Sequence, residues 1–280
     1  MDDLTKTVMD AVRANDRDRY LATLYAPEEK RGALFSLYAF NAEIAGIRDR
    51  IREALPGEVR LQWWRDAIAS TSEGAGAGHP LAESLLHTIR THRLPKTAFE
   101  NYLDARIFDL YDDPMPSRTD LEGYCGETAS ALIQLSAMIL DTEAAPDHAE
   151  LAGRAGCAQA ITGLLRLLPL HRARRQCFIP RDILSAVGTT PEEFLADGGV
   201  GAAEAISAMV ALAREHLTAF ERGAAALPQT LRPAFLPLAP TRAYLKQLEK
   251  QGDGALRMTP DISALRRHWL YLRRAARGWN

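Results

Sequence analysis

EEKRGALFSLYAFNAEIAGIRDRI, running from Glu28 to Ile51, is the stretch that sets the class of fold. Its apolar residues Leu34, Leu37, Tyr38, Ile44 and Ile47 recur largely at three- and four-residue steps. That spacing gathers them on one face of a helix, whereas a half-buried strand would alternate every second residue. One long helix lining the core is expected here.

The same period governs most of the chain, and convincing strand alternation is missing. Further helices are expected over Pro56 to Ser70, Leu81 to His92, Lys96 to Leu110, Thr119 to Leu140, Glu150 to Leu168, Pro191 to Leu195, Ala202 to Leu227, Ala234 to Gln251 and Ile262 to Gly278. Between them, SEGAGAGHP from Ser72 to Pro80 and DDPMP from Asp112 to Pro116 read as loops. Gly74, Gly76 and Gly78 do not form a phosphate-binding loop, because no strand precedes them and the full spacing is absent.

The bulk properties narrow the function classes. With 280 residues and 47% hydrophobic composition the chain can build a substantial core without metal or disulfides. A formal net charge of -2 provides no global field for nucleic acid, so none is expected as a partner. Cys125, Cys157 and Cys177 lie far apart and form no CxxC pair, which argues against a zinc site and fits a reducing compartment. The opening MDDLTKTVMDAVRAND resembles neither a signal nor a transit peptide, and no run of about 18 apolar residues occurs. A cytoplasmic protein is the expectation, with a peripheral station at the inner face of the membrane as an elaboration of it.

Three segments carry a resemblance. Tyr20 Leu21 Ala22, Pro27 to Arg31 and Leu37 Tyr38 Ala39 Phe40 come first; Leu121 Glu122 Gly123 Tyr124 Cys125 follow; Gly156, Thr162, Leu165 and Arg166 then lead to Phe178 Ile179 Pro180 Arg181 Asp182. In order and spacing these resemble the squalene/phytoene synthase family over most of the chain. The resemblance implies an all-α, single-domain bundle of isoprenoid-synthase type spanning residues 1–280, with helices around a central cavity. It also implies a reaction: head-to-head joining of two prenyl diphosphates, with magnesium held by two aspartate-rich motifs. Aspartates four residues apart share a helical face and offer hard oxygen ligands to one ion cluster.

This chain departs from the family at those positions. Aligning Tyr38 Ala39 Phe40 with the family tripeptide puts Ala45 and Asp49 where the first motif has its leading and trailing aspartates. Aligning Arg166 and Pro180 puts Leu167 and His171 at those of the second. Alanine and leucine cannot bind magnesium, and neutral imidazole prefers softer metals. Losing about 4 kcal/mol of Lewis-acid stabilisation costs roughly a thousandfold in rate. Pro169 adds a backbone obstacle, since proline in a helix interior removes the bond to the carbonyl of Leu165, and His171 is then expected not to sit one turn above Leu167. No cofactor is therefore expected, magnesium entering only under an enzymatic alternative.

Ala39 to Glu43, Leu61 Gln62 Trp63 Trp64 and Pro169 to Arg175 resemble the degenerate branch of the family that contains respiratory complex I assembly factor 6. That resemblance implies a catalytically inactive protein working in complex I assembly, with complex I subunits or assembly intermediates as partners. Two alternatives stand beside it: a divergent magnesium-dependent prenyltransferase using Asp49 and Glu43, and a carrier holding a prenyl or lipid ligand.

Several residues admit both a functional and an ordinary reading. Asn41, Ala45 and Asp49 lie on one line of the expected helix and either edge a remnant ligand pocket or serve structure, with Asn41 a hydrogen-bonded core amide and Asp49 paired to a neighbour such as Arg52. Glu43, on another face, is a functional carboxylate or a salt-bridge partner. Arg166, Arg172, Arg174 and Arg175 form either an anion site or a solvated helix end. Trp63 and Trp64 are interface anchors or core, with at least one expected in the core. In the last helix Leu265, Trp269, Leu272, Ala276 and Trp279 are expected on one face, with Arg266, Arg267, Arg273, Arg274 and Arg277 on the others. That helix either meets an anionic membrane or a partner's acidic surface, or simply closes the bundle.

Overall fold

Every regular element among the described residues is helical, as the periodicity predicts. The computed structural model describes residues 3–71, 74, 76–196 and 199–279; of the expected Ser72 to Pro80 loop, Ser72, Glu73 and Ala75 lie outside the described residues. In chain order the helices are α1 (Asp3–Asn15), α2 (Arg17–Thr23), α3 (Glu28–Ala45), α4 (Ala54–Ala69), α5 (Pro80–His92), α6 (Lys96–Ile107), α7 (Arg118–Cys125), α8 (Ala131–Leu140) and α9 (Ala149–Arg166). They continue as α10 (Leu168–Ala173), α11 (Arg181–Ala186), α12 (Pro191–Ala196), α13 (Val200–Ala224), α14 (Arg232–Phe235), α15 (Thr241–Gln251) and α16 (Ala264–Arg277).

The chain is organised as two compact units. The first comprises Met1–Tyr111, Ala131–Ala149 and Leu227–Pro237; the second comprises Asp112–Ser130, Glu150–Ala226 and Leu238–Asn280.

In the first unit α3 is the central element, packed by α1, α5 and α8. Leu34, Leu37, Tyr38, Phe40 and Ile44 are all buried, each aliphatic or aromatic side chain contributing about 1.5–3 kcal/mol on leaving water. Phe40 packs among Trp64, Phe99 and Tyr102 with ring centroids 5.1, 5.7 and 5.3 Å away. Trp64 is thus core while Trp63 is exposed, which separates the two tryptophans. α1 lies outside the helices that periodicity predicts, yet its Val8 and Val12 are fully buried.

α3 is shorter than expected. It stops at Ala45, with Gly46 as its C-cap and a 3-10 turn over Arg48–Arg50. Arg50 explains the stop: its Nε donates to the Gly46 carbonyl (3.1 Å) and its Nη2 to the Glu43 carbonyl (2.8 Å), satisfying acceptors that a helix end leaves open. The helix expected over Ala234 to Gln251 is likewise divided, into α14, a 3-10 turn and α15, because Pro237 and Pro240 have no N–H to donate.

The second unit is organised on α13, which packs with α11 and α15. A π-helical turn, Gly126–Ser130, directly follows α7 and meets α9 at Gly156. There a Cβ would lie well under 3.0 Å from the Ser130 Oγ, N and Cα, so glycine is what permits the approach. α16 is pinned through Arg267, whose Nε and Nη2 donate to the Tyr244 hydroxyl (3.3 and 3.1 Å) and whose Nη2 also donates to Asp261 (2.6 Å).

Candidate functional site

Within the first unit, the end of α3 places Asn41 in the core and leaves Ala45 and Asp49 exposed. The expected line of Asn41, Ala45 and Asp49 is corrected: Asp49 belongs to the 3-10 turn, so it no longer follows Ala45 by one α-helical turn. Asn41 is a hydrogen-bonded core amide. Its Oδ1 accepts from the Tyr102 hydroxyl (2.8 Å) and from Arg106 Nη2 (3.4 Å). Arg106 also donates from Nε to the Tyr102 oxygen (3.2 Å) and pairs through Nη1 with Asp109 (2.8 Å). Glu43 pairs with Arg50 at 2.9 Å, the salt-bridge reading of that carboxylate.

Next to this chain of contacts, Arg19 pairs with Asp16 at 2.5 Å and lies 5.6 Å from the Tyr38 ring centroid, while Ser136 Oγ donates to the Tyr38 oxygen (3.0 Å). Burial pushes the Tyr38 and Tyr102 phenols up, so both stay protonated, Tyr102 donating to Asn41 while the Tyr38 oxygen accepts from Ser136. Tyr102, Arg106, Asp109 and Arg19 carry no motif. The one signal for them in the sequence is the three-residue spacing of Arg106 and Asp109, and of Asp16 and Arg19, which suits helical ion pairs.

Within the second unit, α9 ends at Arg166 and Leu167 serves as the N-cap of α10, with Pro169 in the first turn. Proline is tolerated there because a first-turn N–H has no intrahelical acceptor. One expectation is corrected: His171 N donates to the Leu167 carbonyl at 2.9 Å, so His171 does lie one turn beyond Leu167. The side chains nonetheless part, Leu167 being exposed and His171 buried, its ring 4.6 Å from that of Phe178.

The basic cluster is dispersed by its contacts. Arg166 stacks 3.7 Å from the Tyr244 ring centroid, donates from Nε to the Pro260 carbonyl (3.2 Å) and lies 3.7 Å from Asp261. Arg172 donates from Nε to the Leu195 carbonyl (2.8 Å) and from Nη2 to that of Ala196, closing the end of α12. Arg174 is half-buried and Arg175 exposed, the latter at the left-handed φ of 58° that ends α10. These contacts favour the structural reading for Arg166 and Arg172. A further cluster went unforeseen: Glu122 accepts from His216 Nε2 (3.0 Å) and Arg118 Nε (3.1 Å), and Arg118 also reaches Glu215 (3.2 Å). Burial alone would raise the Glu122 carboxyl, but the Arg118 and His216 hydrogen bonds outweigh it and hold the group below the usual carboxylate range.

On α16 the structure sorts the expected contact residues. Leu265, Trp269, Leu272 and Ala276 are exposed, as are Arg266, Arg273 and Arg277. Arg267 and Trp279 are corrected to the buried side: Arg267 serves Tyr244 and Asp261, and Trp279 packs edge-on against Phe220 at 4.8 Å. Arg274 covers the Trp279 ring at 4.6 Å instead of facing outward.

Magnesium needs several hard oxygens converging on one point. Among the described residues no three His, Cys, Asp or Glu side chains come together as a metal site. The four motif positions offer one exposed carboxylate, one imidazole packed on Phe178 and two hydrocarbon side chains, a donor set that does not fit a magnesium cluster. In the described part of the first unit, α4 and α6 leave an open groove of about 260 Å³ lined by Leu55, Glu58, Val59, Leu61, Gln62, Arg65 and Ile107.

The chain is 32% identical over 247 residues to the Bos taurus protein named NADH dehydrogenase (ubiquinone) complex I, assembly factor 6, which covers 86% of this chain and 73% of that protein. It is 31% identical over 172 residues to presqualene diphosphate synthase of Rhodopseudomonas palustris (strain ATCC BAA-98 / CGA009), covering 61% of each. A solved dehydrosqualene synthase in complex with ligand superposes with a TM-score of 0.81 at 18% identity, over 96% of this chain and 94% of that one, which shows a shared isoprenoid-synthase-type fold. The family pattern described as squalene/phytoene synthase matches residues 12–269, and the chain therefore belongs to the squalene/phytoene synthase family.

Proposed function

We infer that this protein is a catalytically inactive family member that works in the assembly of respiratory complex I, binding its subunits or assembly intermediates and needing no resident cofactor. The observation that carries the reading is the donor set at the motif positions: Ala45 and Leu167 present hydrocarbon, His171 is packed on Phe178, and only Asp49 presents a carboxylate. Backbone geometry supports it too, since the turn after Ala45 separates Asp49 from the helix on which a paired carboxylate would stand. Similarity to the assembly factors over 86% of the chain points the same way.

The test is a strain lacking the gene, with complex I measured on native gels by an NADH activity stain. Loss of assembled complex, restored equally by the wild-type gene and by Asp49→Asn, is the expected result. Full complex I in the deletion strain overturns the reading. So does magnesium-dependent condensation of farnesyl or geranylgeranyl diphosphate by the purified chain at ordinary synthase rates, which would instead establish the prenyltransferase alternative built on Asp49 and Glu43.

A further inference from the structure

We propose that the outer face of α16 is a docking surface for an anionic lipid bilayer, independent of the family's ligand chemistry. Leu265, Trp269 and Leu272 are 83%, 54% and 59% exposed, and Ala276 is exposed with them. Their spacing of four, three and four residues confines them to one narrow stripe about 16 Å long. Scattered exposed leucines are ordinary on protein surfaces; three large side chains aligned along one helix are not.

The arginines form a second row. Arg266, Arg273 and Arg277 each follow a stripe residue by one position, which sets them about 100° round the helix from it. All three are exposed, and Ala264–Arg277 contains no acidic residue. Arg273 reaches back over the Trp269 ring at 5.4 Å, joining the two rows. The opposite side of the helix is locked by the Arg267 contacts to Tyr244 and Asp261 and, just beyond its end, by Trp279 on Phe220, so the stripe is held facing outward.

This is the arrangement of a helix lying in a membrane interface, with an apolar stripe entering the acyl boundary and guanidinium groups at headgroup level. Charge complementarity decides the occupant. The chain as a whole is net negative, yet the exposed charges that α16 itself carries are all cationic, and a phosphate-bearing surface meets all three arginines at once whatever the lateral position. No helix among the described residues is long and apolar enough to cross a membrane, so the contact is peripheral.

Co-sedimentation of the full chain with vesicles tests the proposal: phosphatidylcholine alone against phosphatidylcholine mixed with phosphatidylglycerol. Sedimentation with the mixed vesicles only is expected, weakening as salt is raised. Replacing Arg266, Arg273 and Arg277 together by Gln should lower partitioning about a hundredfold, at roughly fivefold for each charge, while Lys at the same positions should retain it. Leu265→Ser, Trp269→Ser and Leu272→Ser combined should abolish binding with an unchanged circular dichroism spectrum, since all three side chains are exposed. No binding to the mixed vesicles, equal binding to both compositions, or binding indifferent to the serine variant overturns the proposal. The assay contains no complex I, so its outcome is separate from that of the assembly reading.

Discussion

Replacing Gly156 by Ala should destabilise the protein even though alanine is the better helix former. Gly156 lies within α9, where the substitution is intrinsically favourable by about 1 kcal/mol. The structure reverses the sign. A Cβ at this position would stand well under 3.0 Å from the N and Cα of Ser130 as well as its Oγ, about 1 Å short of ordinary contact. The hydroxyl can rotate away, but the backbone of the π-helical turn cannot, so α9 and Gly126–Ser130 must separate and give up packing along both. Overpacking of that kind costs about 3 kcal/mol at the upper end of its usual range. The balance is a loss of about 2 kcal/mol, or roughly 3–4 °C in Tm for a chain of this size. Gly153 is the internal control: it sits one turn earlier on the same helix with nothing within 4 Å of its added Cβ. Gly153→Ala should therefore gain about 0.5–1 kcal/mol. Urea and thermal unfolding followed by circular dichroism read both variants, and a Gly156→Ala protein as stable as the parent would refute the packing argument.

Asn41→Ala removes the acceptor shared by Tyr102 and Arg106 and should cost about 1–3 kcal/mol in urea unfolding, since a buried hydroxyl loses its acceptor; a neutral result would mean that another acceptor takes over. Glu122→Gln should lower stability at neutral pH. Because the folded Glu122 pKa is depressed, the advantage of the wild type is present above the unfolded value of about 4.3 and is lost as pH falls through the folded one, so the two unfolding curves should converge in acid. A gap that persists below that range would assign the effect to packing and not to charge. Ala45→Asp, Leu167→Asp and His171→Asp combined should restore no magnesium-dependent condensation of prenyl diphosphates, as Asp49 stands in the turn beyond α3 and a carboxylate at 171 would be buried against Phe178; turnover measured by radiolabelled product release checks this, and ordinary rates would show that the motif positions alone decide activity.

Much of the architecture is legible in the sequence. The period of Leu34, Leu37, Tyr38 and Ile44 marked a core-facing helix, and α3 buries those residues. Family membership is readable from ordered segments such as Phe178 to Asp182, and the hydrocarbon character of Ala45 and Leu167 from side-chain type alone. Element ends were less legible. The stop at Ala45 depends on Arg50 folding back onto the Gly46 and Glu43 carbonyls, and no periodicity encodes where a guanidinium will reach.

What the sequence determined by itself was therefore the set of residues that must leave water and the donor atoms available at each position, because hydrophobicity and ligand chemistry belong to the side chain. Tertiary structure alone decided how each polar group is used. Asn41 became an internal acceptor for Tyr102 and Arg106, Arg172 a cap on α12, and Arg267 a buried clamp, while Arg266, one residue away, stayed in solvent. Those outcomes turn on partners remote in sequence, such as Tyr102 for Asn41 and Tyr244 for Arg267, which only packing brings within hydrogen-bonding distance.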